Sequence, residues 1–281
     1  MPTSITSPGG GSPDLADLAA RYRRDGYVGG VRVLSSGEAA GHRRRLEAAE
    51  SRIGPLHYRA KAHTILVSAW ELATHPRLLD AVEACIGPDI LVYDATYIVK
   101  EPGTTAKVNW HQDLTYWGLA DDDAQVTAWL ALSPATVEAG CMRMVPGSHL
   151  AGRIDHIAPE RRGDDDVLDL GQFIDGVDET RAVAVPLAPG EASLHHGWTV
   201  HASAPNTSDD RRIGLNVQFV TPRNRQLMHD RDTAVLVRGE DRFGHFGTDR
   251  PAVTDLDPVA VGLQDEAHRR VKANYTAVRD R

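Results

Sequence analysis

Three segments in the first third of the chain repeat apolar residues at helical spacing. Asp14 has a side chain suited to capping the start of the first segment, and glycine ends that segment. Ser35 and Glu38 form a capping-box pattern at the start of the second segment. These signals predict helices over residues 14–26, 35–51 and 74–87.

Beyond residue 87 the helical spacing gives way to short runs of β-branched and aromatic residues. Turns rich in proline, glycine and aspartate separate these runs. An opening run of helices followed by many short strands predicts a barrel or sandwich with helices packed outside. The predicted strands cover residues 90–93, 96–99, 126–132, 142–145, 192–195 and 213–220.

The remaining segments have little to bury or are rich in turns. Residues 1–13 are expected to be a disordered tail, and residues 157–180 a polar loop insertion. Residues 222–254 are charged and turn-rich, whereas residues 263–278 can form a final helix. No repeat or linker divides the chain, so we predict one domain over 14–281, with N-terminal helices over about 14–87, a barrel core over about 88–222 and a C-terminal extension over about 223–281.

Composition narrows the class of protein. The 281 residues include 31 basic and 39 acidic side chains, a net charge of −8, which argues against nucleic-acid or anionic-membrane partners. No apolar run approaches the roughly 18 residues of a membrane-spanning helix. Two cysteines cannot form a disulfide framework or a cysteine-rich zinc site. With no signal-peptide pattern at the N-terminus, we expect a reduced, cytoplasmic protein.

The first candidate chemistry is a His-x-Asp pair at His111 and Asp113. On a strand, alternate side chains share a face, so both groups are expected to point at one interior position. An imidazole and a carboxylate side by side are suitable ligands for a first-row divalent metal. The pair alone is weak evidence, because such spacing arises often by chance.

A second segment, residues 192–220, supplies further ligands at His195, His196 and His201. One more histidine would complete a set of two histidines and one carboxylate, which leaves three metal positions open for substrate and O2. No cysteine is close in sequence, which disfavours a closed structural zinc site. An arginine beyond the last histidine could bind a carboxylate through two parallel hydrogen bonds.

Four separated motifs, in this order, resemble those of the phytanoyl-CoA dioxygenase (PhyH-like) family. They are Trp-His-Gln-Asp at 110–113, Val-Thr-Ala-Trp-Leu-Ala-Leu at 126–132, Gly-Cys-Met-Arg-Met-Val-Pro-Gly-Ser-His at 140–149 and His-Ala-Ser-x-x-Asn-x-Ser-x-x-x-Arg at 201–212. The resemblance covers roughly residues 14–222. It implies a double-stranded β-helix, the jelly-roll core of cupins, and an oxygenase that uses Fe(II), 2-oxoglutarate and O2.

The resemblance also implies a role for individual residues. The iron ligands would be His111, Asp113 and His201. Contacts to 2-oxoglutarate would come from Arg212, Ser203 and Trp129.

Alternatives remain at several of these positions. Arg211 and Arg212 are neighbours on a strand, so only one can enter the barrel, and the family spacing selects Arg212. Trp129 could instead fill the core, and the Ser203 hydroxyl could bond local backbone. Among the other histidines, His195 and His196 are expected to be structural or to line the pocket. Gln112 is expected to point away from the metal.

The carboxylate at position 113 bears on the reaction. Halogenases that resemble this family carry alanine or glycine there, so Asp113 implies hydroxylation or a related oxidation such as desaturation or ring formation. High glycine, alanine and arginine usage suggests a bacterial source and a small-metabolite or natural-product substrate. Substrate contacts are expected from residues that include His57, Lys61, His63 and the segments 157–180 and 222–245.

Two other functions use some of the same residues. A cupin-type hydrolase or isomerase with Zn(II) or Mn(II) would explain the three metal ligands but not Arg212. A non-catalytic barrel that binds a small molecule would require neither feature. We expect a small-molecule substrate and a monomer or homodimer.

Overall fold

The computed structural model describes residues 14–120, 125–157, 172–228 and 232–279. Its helices are α1 (Leu15–Asp25), α2 (Ser36–Ile53), α3 (Val67–Ala73), α4 (Pro76–Ile86), α5 (Leu114–Trp117) and α6 (Pro258–Arg279). Its strands are β1 (Tyr27–Arg32), β2 (Ile90–Lys100), β3 (Val108–His111), β4 (Gln125–Ala131), β5 (Met142–Met144), β6 (Val183–Val185), β7 (Glu191–His195), β8 (His201–Ser203), β9 (Arg212–Val220), β10 (Thr233–Arg238) and β11 (Gly247–Thr248).

The strands form two sheets with a cavity between them. The larger sheet has the order β1-β7-β4-β9-β2-β10-β11, and the smaller has the order β3-β8-β5-β6. All paired strands of these sheets are antiparallel except β10 and β11, which are parallel. Trp129 and Arg212 of the larger sheet and His111 and His201 of the smaller sheet line the cavity. The predicted mainly β architecture with flanking helices is confirmed.

Strand β9 shows how the larger sheet separates core from cavity. Its odd-numbered residues from 213 to 219 are apolar and lie in the main core. Arg212, Asn216 and Gln218 line the cavity instead. Because alternate side chains of a strand point to opposite faces, one face of β9 packs against the helix layer while the other forms the site.

Helices α1 to α4 cover the outer face of the larger sheet. Leu18, Leu46 and Leu78 from these helices are buried in the same core cluster as Val92 and Phe219 from the strands. The larger sheet therefore lies between the helix layer and the cavity.

The predicted starts of α1 and α2 are confirmed by their caps, whereas α4 begins at Pro76, two residues after its predicted start. The Asp14 carboxylate accepts a hydrogen bond of 2.9 Å from the backbone N–H of Ala16. Ser35 Oγ accepts one of 3.3 Å from the N–H of Glu38, whose carboxylate accepts one of 2.8 Å from the N–H of Ser35. These bonds satisfy N–H groups that have no partner within their own helices.

Strand β2 departs from the prediction because it is one continuous strand rather than two. The pairing register with β9 shifts between Val92 and Asp94, so the strand carries a bulge at this point. Asp94 breaks the apolar pattern there. Its carboxylate accepts hydrogen bonds of 2.8 Å from the Ala95 N–H and the Thr96 hydroxyl, which satisfies a charged group in the sheet.

Several elements were not predicted from the sequence. Strand β1 contains two consecutive glycines, a residue type depleted in strands, and α3 has only seven residues. Strands β10 and β11 lie in the segment expected to be turn-rich. Helix α6 begins at Pro258, five residues before the predicted start.

Two predicted features fall outside the described residues. The tail over residues 1–13 is one, and most of the loop insertion, residues 158–171, is the other. Among the described helices, none has both the length and the apolar character needed to cross a membrane.

Candidate functional site

His111 ends strand β3, and Asp113 lies just beyond that strand. With φ −58° and ψ −46°, Asp113 occupies the N-cap position of helix α5. The prediction that His111 and Asp113 converge by alternation along one strand is therefore wrong, because the strand ends at His111 and a helix follows. The two side chains still meet, with His111 Nε2 3.3 Å from Asp113 Oδ1.

His201 reaches the same point from β8. Strands β3 and β8 pair so that His201 lies opposite His111, and the two ring centroids are 4.1 Å apart. His201 Nε2 is 3.6 Å from Asp113 Oδ1. One ligand atom of each of the three residues lies within 4.8 Å of the others. The fold thus brings His201 next to a His-x-Asp pair that lies far earlier in the sequence.

Backbone carbonyls orient both imidazoles. His111 Nδ1 donates a hydrogen bond of 2.8 Å to Asn109 O, and His201 Nδ1 donates one of 2.9 Å to Thr199 O. Each bond fixes the ring and directs Nε2 at Asp113. Metal-binding histidines are commonly held this way, because a hydrogen bond at one nitrogen sets the lone pair of the other.

The protonation states suit a divalent metal. Burial lowers the pKa of His201 to about 3, and the charge of neighbouring His111 adds to this effect. Burial acts to raise the pKa of Asp113, but the imidazoles of His201, His111 and His195 hold it well below its usual range. Neutral imidazole and ionised carboxylate are the forms that bind metals. Two nitrogen donors and one oxygen donor fit a first-row divalent ion.

A third histidine contacts the same carboxylate from its far side. His195 Nε2 lies 3.1 Å from Asp113 Oδ2, and the Thr127 hydroxyl donates a hydrogen bond of 2.9 Å to the same oxygen. Sequence reasoning placed His195 only as structural or pocket-lining and did not find Thr127. Thr127 is brought to this position by the pairing of β4 with β7, which sets it opposite His195.

Arg212 lies in the same cavity, with its side chain almost fully buried. Its Nη1 donates a hydrogen bond of 3.1 Å to Gly140 O, and its buried Nε has no partner among the described residues. Burial lowers its pKa to about 10, which leaves the guanidinium charged at neutral pH. A buried cation without a carboxylate partner in the described chain fits an anionic ligand.

Arg211 occupies the opposite side of the strand's start. It donates a hydrogen bond of 2.9 Å to Glu50 and bonds of 3.0 and 3.1 Å to Glu101. Its guanidinium is therefore engaged by acidic partners outside the cavity. Of the two neighbouring arginines, Arg212 is the one that lines the cavity.

Ser203 also lines the cavity, and a buried lysine holds it. Lys100 Nζ donates a hydrogen bond of 2.7 Å to Ser203 Oγ, which leaves the hydroxyl hydrogen of Ser203 available to a ligand. Lys100 and Arg212 are paired residues of β2 and β9, so two buried cations stand side by side. Sequence reasoning missed Lys100, which sits at the end of an apolar strand.

Trp129 stacks on Arg212, with the guanidinium carbon 5.0 Å from the ring centroid. Gly214 makes this placement possible, because a Cβ there would lie 2.1 Å from Trp129 Cζ2. The tryptophan therefore packs against the backbone of β9 and supports the guanidinium from one side.

Gln112 is buried between the two candidate ligands but is used structurally. Its amide nitrogen donates hydrogen bonds of 2.8 Å to Gly152 O and to Trp198 O, and its carbonyl accepts one of 2.8 Å from Ile154 N. These contacts fix the loop that carries the His-x-Asp pair. No sequence motif pointed to the neighbouring His156, whose Nε2 accepts a hydrogen bond of 3.1 Å from the Gln112 N–H.

His196 lies next to His195 but serves a local contact. Its Nδ1 accepts a hydrogen bond of 3.1 Å from the backbone N–H of Trp198, and its ring lies 6.3 Å from that of Tyr22. It follows the last residue of β7 and does not line the cavity.

The rest of the cavity wall is aromatic and neutral. Tyr58, Tyr116 and Trp117 line it together with Asn216 and Gln218. Tyr58 has φ +57°, a left-handed conformation that is strained for a residue with a side chain. Among the described residues, the charged or titratable groups that line the cavity are three histidines, one aspartate, one arginine and two tyrosines: His111, His195, His201, Asp113, Arg212, Tyr58 and Tyr116.

The residues proposed for substrate contact do not line this cavity. His57 Nδ1 accepts a hydrogen bond of 3.0 Å from the Val99 N–H. Lys61 pairs with Asp249 at 3.1 Å, and His63 lies 3.6 Å from the same carboxylate. Lys61 borders a small adjoining cavity shared with Tyr116, Trp117 and Gln218. No described residue of the segments 157–180 and 222–245 lines the main cavity.

Two facing sheets that hold two histidines and a carboxylate beside a buried arginine define a jelly-roll protein with a candidate metal site. The family described as Phytanoyl-CoA dioxygenase (PhyH) matches residues 22–214, and the chain belongs to this family. The resemblance stated from the four motifs is therefore confirmed.

Curated relatives match over part of their length. The phytanoyl-CoA dioxygenase domain-containing protein 1 of Danio rerio is 35% identical over 122 residues, which cover 43% of this chain and 42% of that protein. A probable alpha-ketoglutarate-dependent hypophosphite dioxygenase of Stutzerimonas stutzeri is 29% identical over 119 residues, covering 42% and 41%. The chain thus spans less than half the length of these relatives.

Solved structures match over more of the chain. The non-heme monooxygenase ThoJ in its apo form has a TM-score of 0.81 and 31% identity, over 93% of this chain and 98% of that one. The non-heme alpha ketoglutarate dependent epimerase SnoN from nogalamycin biosynthesis has a TM-score of 0.62 and 29% identity, over 75% and 82%. The expected jelly-roll core is confirmed.

Proposed function

We propose that this protein is a dioxygenase dependent on Fe(II) and 2-oxoglutarate that oxidises a C–H bond of a small metabolite. One observation carries the proposal. A cluster of His111, Asp113 and His201 shares a cavity with Arg212, a buried cation with no carboxylate partner in the described chain. A metal and an anionic cosubstrate account for both features together.

In this proposal, His111, Asp113 and His201 hold Fe(II) and leave three coordination positions open. Arg212 grips the distal carboxylate of 2-oxoglutarate, since a guanidinium can match a carboxylate with two parallel hydrogen bonds. Ser203 donates its hydroxyl hydrogen to the same carboxylate while Lys100 supports its oxygen. Trp129 fixes the plane of the guanidinium.

Bound Fe(II) with 2-oxoglutarate and O2 supplies the oxidant that attacks an unactivated C–H bond, and 2-oxoglutarate leaves as succinate and CO2. The chain's own residues bind, orient and desolvate the reactants. Arg212 and Ser203 fix the cosubstrate at its far end, and the backbone carbonyls at Asn109 and Thr199 keep the imidazoles aligned. The aromatic wall excludes water from the space where substrate would lie.

Asp113 favours hydroxylation, or a related oxidation, over halogenation. A carboxylate at this position occupies the coordination site that a halide would need. In the proposed centre Asp113 is ionised and partly buried, so it competes effectively for that site. Desaturation and ring formation use the same initial attack and stay within the proposal.

A small, largely uncharged substrate with a ring or apolar body fits the wall formed by Tyr58, Tyr116 and Trp117. The SnoN structure, which comes from nogalamycin biosynthesis, supports a role in natural-product metabolism. A metal-dependent hydrolase would use the same three ligands, but it would give Arg212 no role.

The test is a screen of a metabolite library with Fe(II), 2-oxoglutarate and O2, scored by succinate release and by the gain of one oxygen atom in the product. We expect substrate-stimulated succinate formation. Omission of Fe(II), or its replacement by Zn(II), should abolish it. Turnover of a substrate with Zn(II) and without 2-oxoglutarate would instead establish the hydrolase or isomerase.

A further inference from the structure

His195 stands out as a buried histidine with one polar contact. It ends strand β7, is almost fully buried, and places Nε2 3.1 Å from Asp113 Oδ2. Its other ring nitrogen, Nδ1, is buried and has no hydrogen-bond partner among the described residues. Buried histidines held for structural reasons normally satisfy both nitrogens. The contact with Asp113 is therefore the feature that explains an imidazole here.

The two oxygens of Asp113 have different neighbours. Oδ1 faces His111 Nε2 at 3.3 Å and His201 Nε2 at 3.6 Å. Oδ2 faces His195 Nε2 at 3.1 Å and accepts a hydrogen bond of 2.9 Å from Thr127 Oγ1. The carboxylate is thus held with one oxygen towards the candidate metal position and the other between two hydrogen-bond donors.

His195 is not placed to be a metal ligand itself. The described ligand atoms that lie within 4.8 Å of one another belong to His111, Asp113 and His201. Because a carboxylate only accepts hydrogen bonds, His195 carries its proton on Nε2 when it bonds Oδ2. That nitrogen has then no lone pair to offer a metal.

We propose that His195 is a positioning residue that, with Thr127, keeps Asp113 a one-oxygen ligand. A carboxylate that binds a metal through both oxygens takes up an additional coordination position. Because Oδ2 is bonded to two donors, the carboxylate cannot turn to bring both oxygens onto the metal. The coordination position needed for O2 therefore stays open. The inference rests on the proposed metal centre, and it assigns His195 a role towards that centre through Asp113.

The test adds Co(II), as an optical probe of the metal site, to full-length protein that contains no other added metal. His195→Leu removes the donor, and His195→Gln keeps an N–H at a similar reach. We expect His195→Leu to bind Co(II) roughly 10- to 100-fold more weakly, the usual effect of losing such a partner, and to change the Co(II) absorption spectrum. His195→Gln should restore most of the affinity and the native spectrum.

His196→Gln is the matched control, because it alters the adjacent buried histidine that lies outside the cavity. It should leave the Co(II) spectrum unchanged. A His195→Leu protein that binds Co(II) with native affinity and spectrum would overturn the positioning role. So would a His195→Gln protein as impaired as the leucine variant, since that would indicate packing alone. Failure of the unaltered protein to bind Co(II) would instead refute the metal centre.

Discussion

The buried guanidinium of Arg212 gives a direct test at the level of one side chain. Replacing it with alanine removes the proposed partner of the 2-oxoglutarate carboxylate. Losing one member of such a buried pair costs about 3 kcal/mol, or roughly a 100-fold higher KM for 2-oxoglutarate. The maximal rate at saturating 2-oxoglutarate should fall much less. Steady-state kinetics with varied 2-oxoglutarate will measure both.

Arg211→Ala is the control, because Arg211 pairs with Glu50 and Glu101 outside the cavity. Its KM for 2-oxoglutarate should stay near that of the unaltered protein. If the two variants behaved in the opposite way, the wrong arginine would have been assigned to the cosubstrate.

The residues that carry the candidate site were predictable where their types are rare and their order is characteristic. His111, Asp113, His201 and Arg212 fall into this group. The contacts that surround them were not, because they depend on strand register. Thr127 is an ordinary strand residue until β4 pairs with β7 and sets it opposite His195. Lys100 gains its position only from the pairing of β2 with β9.

Within the sheet, strand β9 depends on a glycine for the placement of Trp129. A methyl group at Gly214 would lie 2.1 Å from the indole ring, so Gly214→Ala must displace Trp129 from the guanidinium. We expect 2-oxoglutarate to bind at least several-fold more weakly and the melting temperature to fall. Calorimetric titration with 2-oxoglutarate, under anaerobic conditions with Fe(II), will measure the affinity.

Gly262→Ala, in helix α6, is the matched substitution, since a Cβ there meets no atom within 4 Å. It should leave 2-oxoglutarate binding unchanged and stabilise the protein by roughly 0.5–1 kcal/mol. Equal 2-oxoglutarate affinity in the two variants would show that Trp129 does not support the cosubstrate site.

Elements whose residues all favour one type of structure were predicted well. Elements that contain residues unfavourable to that structure were not. Caps at Asp14 and Ser35 fixed the starts of α1 and α2. Strand β2 was divided in two because Asp94 interrupts its apolar run, and the compensating hydrogen bonds to that carboxylate come only with the fold. Strand β1 was missed because its glycines weaken the strand signal.

Across the whole molecule, helix α6 is tied to the segment around residue 59. Arg59 donates a hydrogen bond of 2.8 Å to Gln264 and pairs with Asp265, both in α6. Arg59→Ala should therefore make α6 more sensitive to limited proteolysis while the Co(II) affinity stays native, because neither Arg59 nor its two partners belong to the proposed metal site. Cleavage rates followed by mass spectrometry will measure this.

Arg270→Ala is the comparison, since Arg270 pairs with Glu266 within the same helix. It should change the cleavage rate less than Arg59→Ala does. Equal protection of α6 in both variants would mean that other contacts hold the helix.

Acid should destabilise the metal-free protein. Burial lowers the pKa of His156 to about 4 and that of His201 to about 3, from an ordinary 6.5. Below about pH 6.5 these histidines therefore bind protons in the unfolded chain but not in the folded chain. The free energy of unfolding consequently falls as the pH drops. Urea unfolding at a series of pH values with a chelator will measure the slope. His156→Gln should make it shallower, and an unchanged slope would contradict this assignment.

The short helix α5 couples the candidate metal to the space beside it. Asp113 is its N-cap, and Tyr116 and Trp117, three and four residues on, form part of the cavity wall. A molecule that pushes those rings moves the same turn of backbone that carries the carboxylate. Substrate binding at the wall and the geometry of the proposed metal centre would then be linked through a single helical turn.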